Sequence, residues 1–208
     1  MQSIDHNDFK TAIDLDLATQ KISGKILLDR FCVIDEESRR SPAYIDPNFS
    51  GFYYHLGKKI KPESMIEIGF DLGLLSGSFL TSCKSVKRFL GFREKSKHFA
   101  SLRLGKQNIK RSMKGERDFY IGSLYDLDLQ ALVGVKFDLV IITDESNYDK
   151  HLEYFDFIWS ILNDFGIIVV EYLTRNSPSK QAFLAFCKSK NRESLIFKTR
   201  YGTGLVQK

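Results

Sequence analysis

Two glycines, Gly69 and Gly73, mark the place in this sequence where the backbone itself is best suited to hold a ligand. They follow the short apolar stretch 65–68 and precede the stretch 74–83, which suits a helix. Glycine lets the chain turn sharply and lets a ligand approach the backbone closely. The first turn of the following helix also presents N–H groups that have no partner within the helix. A pair of glycines alone is weak evidence, but its position between a strand and a helix indicates a ligand-binding turn.

Acidic side chains follow two later apolar stretches of the chain. Asp144 and Glu145 come after the run 137–142, and Glu171 comes directly after the run 167–170. Open α/β sheets bind ligands at the carboxyl ends of their strands, so these acids are expected to converge there. Asp144 and Glu145 are adjacent, so in an extended segment they point to opposite sides and only one of them would face the site.

The elements that must position these residues alternate along the chain from residue 65 onward. The runs 137–142 and 167–170 are continuously apolar and rich in β-branched residues, which is typical of strands buried on both faces. Apolar residues at helical spacing predict helices between the strands, with the segment 163–166 ending the helix over 152–162. Strands are predicted at 65–68, 89–92, 118–121, 137–142, 167–170, 194–197 and 204–206, and helices at 74–83, 95–113, 152–162 and 177–190.

This alternation predicts a Rossmann-like, doubly wound α/β fold with a mostly parallel seven-stranded sheet. The last two strands flank Tyr201-Gly202-Thr203 and form a hairpin, which is expected to add an antiparallel edge strand. Residues 1–60 do not follow the alternation and contain helical patterns at 9–22 and 49–60. We divide the chain into an N-terminal helical extension, 1–60, and a main domain, 61–208. The extension is either a lid over the carboxyl ends of the strands or a plain packing element.

Residues 65–80, MIEIGFDLGLLSGSFL, resemble motif I of the class I S-adenosylmethionine-dependent methyltransferases. The resemblance is greatest to the small O-methyltransferases related to cephalosporin hydroxylase and macrocin O-methyltransferase, and it extends over about residues 50–208. The strand order, the stretches FDLVIIT and LNDFGIIVVEYL and the final GTGLV follow the same layout. The resemblance implies S-adenosylmethionine as the cofactor and a small-molecule acceptor.

Carried over by position, the resemblance assigns residues to the parts of that cofactor. Its methionine part would lie beside Glu67, Gly69, Phe70 and Gly73, with Ser76 near the start of the first helix. The ribose hydroxyls normally meet an acid after the second strand. Here that position falls on Arg93, with Glu94 one residue later. Ser123 stands where an acid often lies near the adenine amino group, and Asp144 after the fourth strand completes the cofactor-binding set: Glu67, Gly69, Phe70, Gly73, Ser76, Arg93, Glu94, Ser123 and Asp144.

The segment after the fourth strand differs from the same segment of the small O-methyltransferases that the chain resembles. They often have an Asp-rich DGDHSY there, whereas this chain has Thr143 in place of the first acid and Ser146 in place of the histidine. A divalent metal is therefore allowed by the resemblance but not supported by the residues. For an oxygen acceptor a base assists by removing the proton, and the candidates are Asp144, Glu145 and His151. His151 lies at the start of a helix and is expected at the surface.

Composition excludes several other classes. The chain has 208 residues, a formal charge of +5, and no apolar run near the roughly 20 residues that span a bilayer. The first twenty residues resemble neither a secretory signal nor a transit peptide. Three widely spaced cysteines, Cys32, Cys83 and Cys187, indicate reduced thiols and a cytoplasmic protein. The segment Lys84–Arg117 has 12 basic and 2 acidic residues, so it is either a solvated surface or a contact for an anionic partner.

Two functions from different classes follow. The first is a methyltransferase, acting on an oxygen of a small or glycosyl-like acceptor. The alternative starts from the substitutions at positions where a ligand is expected, such as Arg93 and Thr143. Several such changes at one site indicate a methyltransferase-like domain that has lost catalysis. It would then serve as a binding or structural module with a basic face, since a fold does not guarantee an activity.

Overall fold

A computed structural model describes residues 5–19, 27–33, 35–41, 44, 46–93, 99–113, 118–123, 132, 134–143 and 147–208. Its seven longer helices and seven strands are named here in chain order. The helices are α1 His6–Thr19, α2 Glu36–Arg40, α3 Pro47–Ile60, α4 Leu74–Ser82, α5 Phe99–Ser112, α6 Tyr148–Ile161 and α7 Pro178–Ser189. The strands are β1 Ser64–Ile68, β2 Arg88–Arg93, β3 Asp118–Ser123, β4 Phe137–Ile142, β5 Leu162–Val170, β6 Ser194–Phe197 and β7 Thr203–Gln207.

The strands form one sheet with the order β3-β2-β1-β4-β5-β7-β6. Neighbours from β3 to β5 pair in parallel, and β7 runs antiparallel to both β5 and β6. The predicted doubly wound, mostly parallel sheet with a C-terminal hairpin is confirmed. The hairpin adds β7 antiparallel to β5, and β6, which pairs antiparallel with β7, forms the edge of the sheet. All five residues of β7 are buried, whereas burial alternates along β6.

Successive residues of the central strands point to opposite faces and belong to two separate cores. Leu139 and Ile141 of β4 face the core that the N-terminal helices α1 and α3 share with α4 and α5. Val140 and Ile142 face the core formed with α6 and α7. This burial on both sides explains the continuous apolar run that predicted β4.

The segment after α6 differs from the prediction. Residues 163–166 were expected to end the helix, but α6 ends at Ile161 and β5 begins at Leu162. Leu162 pairs with Phe137, and the register then shifts before Leu139 pairs with Ile167. The side chain of Gln207 donates to the carbonyl of Phe165 at 2.9 Å, which ties this polar stretch to β7. The pairing of β5 with β4 skips residues 163–166, so this polar stretch is an irregular part of β5 and not the end of a helix.

The helix predicted over 49–60 is confirmed as α3. Phe52 lies edge-on to Phe197 of β6, with ring centroids 5.1 Å apart, and Gly57 lies close to the carbonyl of Phe79 on α4. The helix therefore packs on the sheet and on α4. The division of the chain at residue 60 stays a prediction.

The thiols and the helix surfaces agree with their sequence patterns. Cys32, Cys83 and Cys187 are all buried and unpaired. Basic residues of α5 lie on its solvent side, among them Arg103 and Lys106. Among the described residues, no helix is long and apolar enough to cross a membrane.

Candidate active site

The turn after β1 is held in a conformation that requires glycine. Gly69 has φ 91° and Gly73 has φ 68°, both in the left-handed region that side chains with a Cβ rarely adopt. The N–H groups of Gly69 and Phe70 both donate to the carbonyl of Phe92, at 2.8 and 2.9 Å. These bonds anchor the turn to β2, and Gly73 then directly precedes α4. The predicted ligand-binding turn thus has the expected backbone geometry.

The side chain of Phe70 lies beneath this turn in the core. A Cβ added at Gly91 would be 2.9 Å from the Phe70 ring, and one added at Gly105 would be 2.6 Å from it. The ring is fully buried and also contacts Phe89, at 5.9 Å between centroids. A Cβ added at Gly73 would be 3.0 Å from the same ring, so the side chain of Phe70, which the resemblance places beside the cofactor, lies against the turn from the core side. Its ring does not block the space above the glycines.

That space is a cleft that opens to solvent at the carboxyl ends of β1, β4 and β5, and its volume of about 540 Å³ includes open solvent. The turn forms one wall, and the residues following β4 and β5 form another. Among the described residues that line it, none is Lys, Arg or His. Its lining consists of Ser41, Phe49, Glu67, Gly69, Asp71, Leu72, Gly73, Leu74, Leu75, Thr143, Glu171 and Tyr172.

Glu67 is the buried acid on the glycine side of the cleft. Its side chain is 3% exposed, and its Oε2 accepts a hydrogen bond from the Ser76 hydroxyl on α4. The Thr143 hydroxyl lies 3.5 Å from its Oε1 and also donates to the carbonyl of Gly69 at 2.9 Å. Burial raises the pKa of Glu67 to about 7 against the opposing effect of the Ser76 hydrogen bond. Ser76 therefore acts on the site through Glu67.

Glu171 is the second buried acid, at the end of β5. It is 1% exposed, and its Oε1 accepts hydrogen bonds from the Tyr53 hydroxyl and, at 2.7 Å, from the Thr203 hydroxyl. Its Oε2 is buried and has no hydrogen-bond partner among the described residues. Burial raises the pKa of Glu171 to about 7, and the Tyr53 hydrogen bond is the largest effect that opposes it.

The groups that hold Glu171 were not predicted from the sequence. Tyr53 was assigned no role there, but it is fully buried in α3 and donates to the Glu171 carboxyl far along the chain. Thr203 was noted only as part of the hairpin turn. The signal available in the sequence was a tyrosine within the apolar face of the helix, since a buried tyrosine hydroxyl usually finds a partner.

The other predicted cofactor and catalytic residues are only partly described. Arg93 and Ser123 lie opposite each other at the ends of β2 and β3, and the structure describes their backbone but not their side chains. Glu94, Asp144 and Glu145 lie outside the described residues. Their assignments to the ribose, to the cofactor and to proton removal stay predictions.

His151 does not lie at the surface, and that expectation is wrong. It is fully buried, its ring stacks on Phe155 with centroids 5.7 Å apart, and its Nε2 lies 3.0 Å from the Ser179 hydroxyl of α7. His151, Phe155 and Ile158 recur at helical spacing on the inner side of α6, so the apolar stripe includes the histidine. This places His151 in the core between α6 and α7, on the opposite side of the sheet from α3 and α4. Among the described residues, it does not line the cleft.

Whether the side chains at the cleft could bind a metal ion depends on their arrangement. Among the described parts of the chain, no group of three or more His, Cys, Asp or Glu side chains is arranged to hold a metal ion. Glu67 and one oxygen of Glu171 accept hydrogen bonds from hydroxyl donors instead. The cleft is thus an acidic, partly apolar cavity beside a glycine turn, which suits a ligand carrying positive charge.

Comparisons with known proteins identify the fold. No protein-family model matches the chain, and no curated protein sequence matches it. Among solved structures, it is similar to the O-methyltransferase from Bacillus cereus in complex with SAH, with TM-score 0.64 and 15% identity over 96% of this chain and 99% of that one. The O-methyltransferase TomG from Streptomyces achromogenes, involved in tomaymycin synthesis and bound to SAM, has TM-score 0.63 and 12% identity over 99% of each chain. The SAH-bound methyltransferase PaMTH1 from Podospora anserina has TM-score 0.61 and 13% identity over 99% of this chain and 97% of that one.

Proposed function

We propose that this chain, which has the fold of the class I O-methyltransferases, is an S-adenosylmethionine-dependent methyltransferase. The acceptor that we propose is an oxygen of a small or glycosyl-like molecule. The observation that carries the proposal is the cleft between the left-handed glycines and the two buried acids Glu67 and Glu171. The O-methyltransferase fold supports it, since TomG and the Bacillus cereus protein have this fold and were solved with SAM or SAH. Three buried, unpaired thiols support a cytoplasmic location.

The residues of the cleft fit the proposed methyl donor. The turn carries no Cβ at Gly69, so a ligand can approach its backbone there. At Gly73 a Cβ would lie 3.0 Å from the Phe70 ring, so this glycine makes room for that ring. The donor carries a positively charged sulfonium, and the described lining offers acids but no basic side chain. The unpartnered Oε2 of Glu171 is a buried acceptor atom at this cleft. A buried polar atom without a partner costs free energy, so a ligand that interacts with it is favoured.

The roles of the chain's residues follow from these positions. Glu67 and the backbone at Gly69 and Gly73 would hold the methionine part, with Ser76 fixing the Glu67 side chain. Glu94 or Arg93 would face the ribose and Ser123 the adenine, while Asp144 or Glu145 would lie near the acceptor. The donor supplies an already activated methyl group, so the protein mainly orients the acceptor oxygen in line with it.

The inactive binding module remains the alternative, and ligand binding separates the two. We would measure thermal unfolding and calorimetric binding with S-adenosylmethionine and S-adenosylhomocysteine. At 100 times the dissociation constant, a ligand stabilises the folded state by about 2.7 kcal/mol. Absence of binding at millimolar concentration of either ligand would contradict the proposed function.

A pair of glycine variants tests the location of the site. Gly69→Arg places a large side chain in the cleft at a left-handed position and is expected to abolish binding. Gly134→Ala also changes a left-handed glycine, with φ 86°, but a Cβ there meets no atom within 4 Å. Gly134 is not among the described residues that line the cleft, so this variant is the matched control for backbone strain and should bind normally. Equal binding by both variants would show that the ligand does not use this turn.

A further inference from the structure

Glu171 combines three features that go beyond ligand contact. It is buried at the cleft, one carboxylate oxygen accepts two hydroxyl donors, and the other has no hydrogen-bond partner among the described residues. Its described partners are the two hydroxyls and the backbone N–H of Tyr172, so these contacts leave its negative charge without a cation. A buried carboxylate of this kind is stabilised either by a proton or by a positively charged ligand.

We propose that Glu171 exchanges a proton for the positive charge of the methyl donor. The free cleft holds the proton on Glu171, donor binding releases it, and the proton leaving the acceptor hydroxyl returns to Glu171 during methyl transfer. This inference rests on the proposed function and adds a proton-accepting residue to it. The pKa of Glu171, raised to about 7 by burial, places this exchange near neutral pH.

The sheet places Glu171 within reach of both ligands. The order β1-β4-β5 puts one strand between the glycine turn and Glu171, and the Glu171 N–H donates to the carbonyl of Ile142 at 2.9 Å. Neighbouring strands are about 4.8 Å apart, so the ends of β1 and β5 are separated by about 10 Å. A donor whose methionine part lies at Gly69 therefore has room to place its charged centre over the end of β4. Glu171 then lies on the far side of that centre, where the acceptor must approach.

Other ionisable groups face Glu171 from the surrounding elements. Tyr53 approaches from α3, Tyr172 is its neighbour in the chain, and Glu67 and Asp71 lie across the cleft. Burial and the neighbouring Glu171 raise the pKa of Tyr53 well above its usual value, so its hydroxyl keeps its proton and remains a donor. Glu67 lies at the glycine turn, where the resemblance places the amino-acid part of the ligand. That part carries an ammonium group in both the donor and its demethylated product.

The exchange balances in atoms and charge. The donor supplies the methyl group: an O–CH₃ bond forms, and the S–CH₃ bond breaks with its electron pair remaining on sulfur. The acceptor O–H bond breaks, its electron pair stays on oxygen, and Glu171 receives the proton. A carboxylate and a sulfonium thereby become a neutral carboxylic acid and a neutral thioether. The loss of charge on both sides weakens their attraction and favours release of the product.

Comparing the binding of the charged donor with that of its neutral product tests the interaction with Glu171 in the absence of any acceptor. We would measure the dissociation constants of S-adenosylmethionine and S-adenosylhomocysteine by calorimetry at pH 6 and pH 7. The ionised fraction of a carboxyl with a pKa of about 7 rises from about one-tenth to about one-half over this range. The preference for the charged donor over the neutral product should therefore increase about fivefold. The ammonium groups of both ligands stay mostly protonated in this range, and contributions from Glu67 cancel in the ratio.

Three variants assign the effect to a residue. Glu171→Gln keeps the shape of the side chain and should make the preference independent of pH, whereas Glu67→Gln should retain the pH dependence. Calorimetry in two buffers of different ionisation enthalpy should also show that proton release on donor binding is lost in Glu171→Gln. Tyr53→Phe removes the donor that opposes the raised pKa of Glu171 and should move the transition to higher pH.

The outcomes separate this inference from the proposed function. If both ligands bind with a pH-independent ratio, or if the pH dependence survives in Glu171→Gln, the proton exchange is wrong while methyl-donor binding stands. If neither ligand binds, both the exchange and the proposed function are wrong. A pH-independent ratio in the wild type refutes the exchange even if a variant fails to fold.

Discussion

Replacing Glu171 by glutamine should change how the stability of the protein depends on pH. The glutamine oxygen can still accept from Tyr53 and Thr203, and its amide nitrogen takes the position of an oxygen that has no described partner. The variant therefore keeps the packing and two hydrogen bonds but removes the ionisation. Any difference in pH dependence between the two proteins then reports on the Glu171 carboxyl.

The structure gives the size and sign of the effect. Burial raises the pKa of Glu171 from 4.5 to about 7, so between these values the folded protein binds the proton and the unfolded chain does not. The stabilisation from this proton is complete below pH 4.5 and is lost as the pH rises through about 7. The shift corresponds to about 3 kcal/mol in the free energy of unfolding. Between pH 4.5 and pH 8, the free energy of unfolding of the wild type should therefore fall by about 3 kcal/mol relative to that of Glu171→Gln.

Urea unfolding at pH 5, 6, 7 and 8 measures this change. Wild type should lose stability more steeply than Glu171→Gln as the pH rises. At low pH the variant should be the less stable of the two, because its buried amide has hydrogens without an acceptor. Glu153→Gln removes an exposed carboxyl on α6 and should follow the wild-type profile. Parallel profiles for wild type and Glu171→Gln would refute the assignment of a protonated, buried carboxyl to the folded state.

Three further variants test a buried hydrogen bond and the packing of the two cores, each by urea unfolding. Tyr53→Phe should lower the free energy of unfolding by about 1–3 kcal/mol, since it removes a buried hydrogen bond to Glu171, and a change within 0.5 kcal/mol would contradict the contact. Gly77→Ala should lower the free energy of unfolding by about 1–3 kcal/mol, because the added Cβ would lie 2.3 Å from the Phe31 ring. This cost should outweigh the better helix propensity of alanine. A gain in stability would show that the ring can move aside. Phe186→Ala should cost about 3–5 kcal/mol through loss of its ring contact with Phe155 at 5.1 Å, and a cost below 1 kcal/mol would argue against a tightly packed core there.

The parts of the fold that the sequence predicted are those governed by local pattern. The run 137–142 is buried on both faces, so its composition alone indicates a central strand. The glycine turn was also predictable, because the left-handed conformations at Gly69 and Gly73 suit no other residue type as well. Both signals lie within a few residues of the feature that they predict.

The parts that the sequence did not predict depend on distant segments. The position of β7 between β5 and β6 follows from pairing between residues that are far apart in the chain. The short sequence of β7 does not indicate which strands it pairs with. The partners of Glu171 likewise come from α3 and β7, which meet only in the folded protein. The prediction that His151 lies at the surface was wrong because it gave more weight to the polar residue type than to the position of this residue on the apolar stripe of α6.

The enclosure of α4 has a consequence for motion at the cleft. All residues from Leu74 to Leu80 are buried, and a Cβ added at Gly57 of α3 would lie 2.3 Å from the Ser82 hydroxyl. A helix surrounded in this way cannot tilt or fray without separating α3 from the sheet, so its amide hydrogens should exchange with deuterium only when the whole domain unfolds. Because Gly73 directly precedes this helix, we expect the wall formed by Gly69 and Gly73 to move less than the opposite rim of the cleft, where Ser41 is half-exposed.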